Sequence, residues 1–315
     1  MGGLFLSACQ KDVDIFIPDP GQTNGPDTSW HTTITATMPV SVLKNELLEK
    51  PYLDSIEVNA NNATVTTATG LIVTFPPWCA ANTAGQPVTG NVQVEIQVVK
   101  KKGDMIRLNK PSTFNDSLLV TAGHIFITLR KNGVPLVLAP NVRFSIRYTD
   151  LPVQQQMKIH VGDESNPTFF NWLPNPDPAN NTVGIGSQTY EIYTNRLRWI
   201  SLAYGLNVSN TSSVKVTADM PSYFTNANTV AFTILKDFRS VVAMHGEFNA
   251  RKFVSGKLPL GKLITVVVIS KQGNDYYLGH ESGVTQAGTT SVNQSVHVVP
   301  IKKSFPEILS YLSTL

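Results

Sequence analysis

The sequence predicts an all-β protein, two β-sandwich domains in tandem with a short C-terminal amphipathic helix. Three observations predict it. Charged residues make up only 15% of the 315 positions while apolar ones make up 42%, so the polar character rests on neutral side chains. Among those are 31 Thr and 24 Asn, the first suited to a pleated, half-buried surface and the second to turns. Short apolar runs with a two-residue period recur between Gly, Pro and Asn, and helical spacing emerges only at the end of the chain.

Composition also excludes some functions. Lys and Arg number 25 against 22 Asp and Glu, a net charge of +3. That excess is too small for a nucleic-acid partner, which needs a concentrated basic surface. Two Cys cannot build a disulfide framework. No stretch reaches the ~18 consecutive apolar residues of a membrane-spanning helix.

In chain order, residues 1–8 read as the remnant of a signal peptide and 9–29 as a lipidated start and flexible tether. Residues 30–150 form the first sandwich, 151–189 a connector, and 190–315 the second sandwich with its closing helix. Leu6-Ser7-Ala8-Cys9 resembles the lipobox of bacterial lipoproteins. The resemblance implies cleavage before Cys9 and a diacylglycerol, with acyl chains such as palmitate, on its thiol. No Lys or Arg precedes Cys9 and the apolar run is short, so a start further upstream is expected. Gln10, Lys11, Asp12 and Asp14 resemble the surface-export signal of Bacteroidota lipoproteins, which implies an outer-membrane protein facing the exterior. Three acyl chains, at ~0.8 kcal/mol per buried CH₂, anchor a protein stably. Residues 18–29 are rich in Pro and Gly and lack periodicity, as a tether does.

The clearest strand covers residues 91–99, where Val92, Val94, Ile96 and Val98 alternate with polar residues. Residues 63–69 and 71–75 read as strands broken at Gly70. Lys100-Lys101-Lys102-Gly103-Asp104 reads as a solvated turn ending the 91–99 strand. Strands follow at 118–120, 124–130, 135–138 and 142–148, with Asn132-Gly133 as a hairpin turn. Gly70-Leu71-Ile72-Val73-Thr74-Phe75-Pro76, the Gly85 to Val92 turn, Pro111-Ser112-Thr113 and the 118–136 segment together resemble a ZU5-like domain. That resemblance implies a β-sandwich used for protein contacts and brings no catalytic residues. It departs at Pro76-Pro77-Trp78-Cys79, where the family has Pro-Gly.

In the connector, residues 157–161 suggest a strand, whereas 172–178, with Pro at every second position from 174, is expected to hold no regular element. Asn175, Asp177, Asn180 and Asn181 offer oxygens to Ca²⁺, but without an acidic cluster they read as a surface loop. Strands are expected at 213–220, 229–236, 240–244, 262–270, 276–278 and 291–299, with 264–269 central and buried on both faces. Arg198-Trp199-Ile200-Ser201 and Leu258-Pro259-Leu260-Gly261-Lys262 resemble the C-terminal module of the same lipoproteins, a transthyretin- or carboxypeptidase-regulatory-like sandwich. Ser304 and Glu307 form a capping box, and Phe305, Ile308, Leu309 and Leu312 keep helical spacing, so a helix should close the chain against its own sandwich.

Catalytic patterns are weak. His31, His124, His160, His245, His280 and His297 make no close pair. His245 and Glu247 share a strand face but read as polar strand-end residues rather than metal ligands. Ser282 in Gly279-His280-Glu281-Ser282-Gly283 sits one place too late for a nucleophile elbow. Gly184-Ile185-Gly186 lacks the Lys and helix of a phosphate loop. Asp163-Glu164 reads as a solvated pair, and Cys79 has no disulfide partner once Cys9 is acylated. No cofactor and no metal is expected. Trp78, Trp172, Tyr276 and Tyr277 are candidate ligand-binding aromatics that could stack on sugar faces, with Trp199 a further candidate. The expected function is a non-enzymatic cell-surface lipoprotein with a protein partner, acting as a scaffold or adhesin-like module. The alternative is a glycan-binding accessory lipoprotein that captures polysaccharide.

Overall fold

In the computed structural model, which describes residues 27–115, 117–166, 170–206, 208, 213–286 and 293–315, the chain enters through a helix. This helix, α1 (Pro39–Leu47), starts on Pro39, whose fixed φ suits a first turn, and buries Val40, Leu43 and Leu47 on one face. The first sandwich follows. Its strands are β1 (Tyr52–Val58), β2 (Ala63–Thr66), β3 (Ile72–Phe75), β4 (Ala80–Ala81) and β5 (Gly90–Val99). After helix α2 (Lys102–Arg107) come β6 (Thr113–Phe114), β7 (Ser117–Lys131), β8 (Val134–Leu138), β9 (Phe144–Thr149) and β10 (Lys158–Asp163). It ends with β11 (Asn171–Pro174), β12 (Thr182–Ile185), β13 (Thr189–Thr194) and β14 (Arg198–Leu206).

One sheet runs β1-β5-β7-β14-β10-β11, with β8 also on β7, and the other runs β12-β13-β9-β3-β2. Their inner faces meet in a core that includes Val92, Val94 and Ile96 of the predicted alternating strand, Ile127 and Ile146. The expected strands 118–120 and 124–130 are one strand, β7. Ala122 is an extra residue opposite β14, so the pairing passes from Leu202–Gly123 to Ala203–Thr121 across a bulge. Asn132 and Gly133 have φ of 50° and 78°, as the predicted two-residue hairpin turn requires.

The expected domain boundary needs correction. Residues 151–189 are not a connector between sandwiches. Strand β10 pairs with β14, β11 with β10, and β12 with β13. Nor does the second sandwich begin at 190: β13 pairs with β9 and β14 with β7 along its length. The Arg198–Ser201 segment therefore lies inside the first sandwich. Pro-rich composition misled the reading of 172–178, because an edge strand tolerates Pro and β11 ends on Pro174. Residues 102–107 are also not a solvated turn. They form α2, and Lys102 Nζ donates to the Leu235 and Lys236 carbonyls at 2.7 and 3.0 Å.

The second sandwich holds β15 (Ser213–Asp219), β16 (Thr229–Leu235), β17 (Ser240–Glu247), β18 (Lys252–Pro259), β19 (Leu263–Gln272), β20 (Asp275–Val284), β21 (Asn293–His297) and β22 (Ile301–Lys303). They form one path, β21-β15-β18-β17-β16-β19-β20-β22. Strand β17 serves both leaves: residues 240–244 pair with β16, and His245 to Glu247 pair with β18. Val216, Phe253, Leu258, Val242, Val266 and Val296 fill the space between the leaves. Residues 264–270 are buried throughout, as expected of a central strand. Gly261, at φ 70°, makes the turn that leads from β18 into it.

The last element is α3 (Phe305–Ser313), with the predicted capping box: Glu307 N–H donates to Ser304 Oγ, and Ser304 N–H donates to the Glu307 carboxylate at 2.8 Å. It does not pack on its own sandwich alone. A third apolar layer contains Ile308 and Leu312 of α3, Met105 and Ile106 of α2, and Leu43 of α1. It also takes in Trp172 and Trp199 of the first sandwich and Phe232 and Val267 of the second. The two sandwiches are thus joined through a common core with all three helices in it.

Candidate functional site

The lipidation residue Cys9 and the export residues Gln10, Lys11, Asp12 and Asp14 lie outside the described residues. The four candidate ligand-binding aromatics do not form one platform. Trp172 is fully buried, its indole N–H donates to the Pro111 carbonyl at 2.8 Å, and its ring stacks on His124 at 4.4 Å. It is a core residue and cannot receive a sugar. Trp199, 6% exposed, is also core. Tyr276 and Tyr277 point to opposite faces of β20, as neighbours on a strand must. Tyr276 lies against Phe305 and donates to Glu46 at 2.9 Å, whereas Tyr277 packs edge-on to Phe224. Trp78 alone is half exposed, at 51%, and its φ of 54° is rare for a bulky side chain.

The weak catalytic patterns resolve into structure. Gly279 to Gly283 lies within β20, where His280 stacks on Tyr311 and Ser282 Oγ meets Thr265 Oγ1 at 2.9 Å. No strand-to-helix elbow forms there. Gly184 and Ile185 belong to β12. Asp177 is capped by Asn180 and reached by Asn195, and Asn181 bonds to Thr194, so these side chains satisfy one another. Glu164 is an ion-pair partner, accepting from Arg198 at 2.6 Å. Cys79 is buried, which pushes its thiol up and away from reactivity. Among the described residues, no group of three His, Cys, Asp or Glu could hold a metal ion.

Strand pairing assembles a row that linear spacing hides. Ser201 of β14 lies directly between His124 of β7 and His160 of β10. His124 Nδ1 and Ser201 Oγ are 2.9 Å apart, and Thr121 Oγ1 is 3.2 Å from the same hydroxyl. A Ser–His pair at this distance could activate a hydroxyl if it were open to substrate. Here both side chains are buried, at 0% and 1% exposure. Burial, with Lys110, His160 and Arg239 nearby, pushes the His124 imidazole down to about 3, far too weak a base for the task at neutral pH. The pair is a structural element of the joint between sandwiches. Beside it, Arg239 of the second sandwich bonds to the Ala122 carbonyl and pairs with Asp150 of the first at 2.9 Å.

One cleft combines accessibility with convergent polar groups. It has a volume of about 410 Å³, within the range of small-molecule sites. The 31–34 segment, α1, the 109–111 loop and strands β16 and β17 enclose it. Buried Phe170 and Phe232 form its floor, Ile34 and the half-exposed Phe248 give it accessible apolar walls, and Lys44, Asn109, His31 and His245 bring polar groups. Asn226 pins the rim: its carboxamide accepts from His31 N–H at 3.0 Å and donates to the His31 carbonyl at 2.6 Å. Burial lowers the Lys44 amine from its ordinary value. Sequence reasoning missed this cleft, because its lining is drawn from segments scattered between residues 31 and 253 with no common motif.

No family model matches the chain, and no curated protein matches it either.

Proposed function

We propose that this protein is a non-enzymatic, cell-surface lipoprotein of the outer membrane that acts through protein contacts as a scaffold or adhesin-like module. Cys9 would carry the lipid, and Gln10 to Asp14 would direct the protein outward. The first sandwich would serve as the ZU5-like contact domain. The observation that carries the contact role is the edge of its larger sheet. Strand β1, seven residues long, ends that sheet and exposes Tyr52 and Leu53, the latter by 54%. A long edge with apolar side chains is a template for a partner strand. The burial of His124 and Ser201 favours this reading over hydrolysis, since the best-placed nucleophile and base are out of reach of substrate.

The test places a photo-crosslinking residue at position 53 in the full-length lipoprotein and irradiates intact cells. A discrete protein adduct, absent with the same residue at exposed position 263 of the second sandwich, is expected. Equal or no adducts at the two positions would overturn the contact role. The anchor is tested separately. Cys9→Ala should abolish incorporation of labelled palmitate and release the protein from carbonate-washed membranes; a variant that still incorporates label refutes Cys9 as the lipid site.

The half-exposed Trp78, held at a backbone angle better suited to Gly, favours glycan capture as a second reading. In that case Trp78→Ala should lose retention on immobilised polysaccharide that the unaltered protein shows.

A further inference from the structure

We propose that the cleft between α1 and the β16–β17 hairpin binds a small organic monocarboxylate, with its carboxylate on Lys44 Nζ and its apolar body against the accessible Ile34 and Phe248 of the lining. The proposal goes beyond the contact role, and it holds whether or not Cys9 carries lipid.

The first support is the unanswered charge. Lys44 sits in the last turn of α1 with its side chain drawn into the cleft, and among the described residues its amine has no hydrogen bond or ion pair. Lys110 is met by an aromatic face, its Nζ 3.8 Å over the Phe170 ring, and three further lysines find oxygen acceptors. Lys100 donates to the Thr149 carbonyl at 2.7 Å, Lys102 to two carbonyls, and Lys271 to Glu46 and Tyr276. The carboxylate two residues from Lys44, Glu46, is therefore already engaged. A cation held away from water without a partner is costly, and a bound anion removes that cost.

The lining chooses the anion. Among the described residues, no Asp or Glu lines the cleft to repel a carboxylate. Lys44 is the one lysine among the described lining residues, beside His31 and His245, and a single lysine favours a monoanion over a phosphate dianion. The half-exposed Phe248 and the partly exposed Ile34 of the lining reward a hydrocarbon body, and a bare inorganic ion would leave them uncovered. Asn109, at φ 50° beside the lysine's cleft, offers a carboxamide to the second carboxylate oxygen.

The cleft carries its own reporter. Trp30 lies with its ring 5.2 Å from that of Phe253 and against Gly246, both cleft residues. Octanoate and benzoate are the probes, with octylamine, benzylamine and inorganic phosphate as comparisons. Calorimetry should give a Kd of about 1 mM or tighter for at least one carboxylate, in keeping with roughly ten non-hydrogen atoms. The same titration should change tryptophan emission, and Trp30→Phe should remove that change. Lys44→Gln should weaken carboxylate binding at least about tenfold, the loss expected of a charge-assisted contact. Lys44→Arg should retain most of it, and Lys44→Glu should favour the amines. Unchanged circular dichroism and urea midpoints show that each variant is folded; if Lys44→Gln fails this check, the Arg and Glu variants carry the comparison. Absence of carboxylate binding overturns the proposal. So does equal binding by the unaltered and Lys44→Gln proteins, or phosphate binding as tight as that of the carboxylates.

Discussion

The His124 imidazole makes the stability of this protein depend on pH. In the folded chain it titrates at about 3, because burial and its cationic neighbours disfavour the charged ring. In the unfolded chain the ordinary value is about 6.5. A histidine depressed by folding leaves its full stability in place above about pH 6.5. As pH falls, protons bind the unfolded chain first, and about 1.4 kcal/mol is lost per pH unit until the folded value is reached. At pH 5, some 1.5 units below the unfolded value, the loss is about 2 kcal/mol. His160, also lowered mainly by burial, adds to the loss in the same direction. Urea unfolding at pH 7.5 and at pH 5 measures the difference. His124→Phe keeps a ring against Trp172, removes the titration, and leaves Ser201 its Thr121 partner. That variant should lose about 2 kcal/mol less than the unaltered protein over the interval, whatever its stability at pH 7.5. His124→Asn provides the same comparison if the larger ring does not fit. A parallel His160→Gln variant separates the second histidine. If the His124 variants keep the full pH dependence, the ring is not held neutral by burial and the account of the joint is wrong.

Two further outcomes follow from the packing. A methyl group on Gly103 would overlap the Leu312 carbonyl, so Gly103→Ala should force α2 and α3 apart and destabilise the protein by about 1–3 kcal/mol in urea melts. A fragment of residues 30–150 should be unfolded by circular dichroism, because it lacks β13 and β14 and leaves β7 and β9 unpaired on one side. A cooperative melt of that fragment would refute this account of the boundary.

The sequence made the period-2 strands legible, because one buried face writes its pattern directly into the chain. Val92, Val94 and Ile96 show this, as does the unbroken apolar run of β19. Capping chemistry was equally legible in Ser304 and Glu307, since three-residue spacing is local. Strand β18 was hidden because Phe253, Val254 and Leu258 do not alternate, as its pairing shifts register against β15. The domain boundary was hidden for a different reason. Pro and Asn mark surface turns, and in residues 172–181 they mark turns within a sandwich. The pairing of β14 with β7 spans some 70 residues and has no local signature. Of the site, Lys44 and the His124–Ser201–His160 row were invisible for the same cause: their neighbours come from distant strands.

The common layer beneath the three helices also governs the order in which this polypeptide can be completed. A ribosome releases the first sandwich well before the second, and domains generally begin folding as they emerge. Until β16 and β19 arrive, Trp199 and Met105 have no cover from that side. Closure waits for Ile308 and Leu312 of α3, which follow every strand of both sandwiches. Each nascent molecule therefore passes through a stage in which that apolar flank is uncovered.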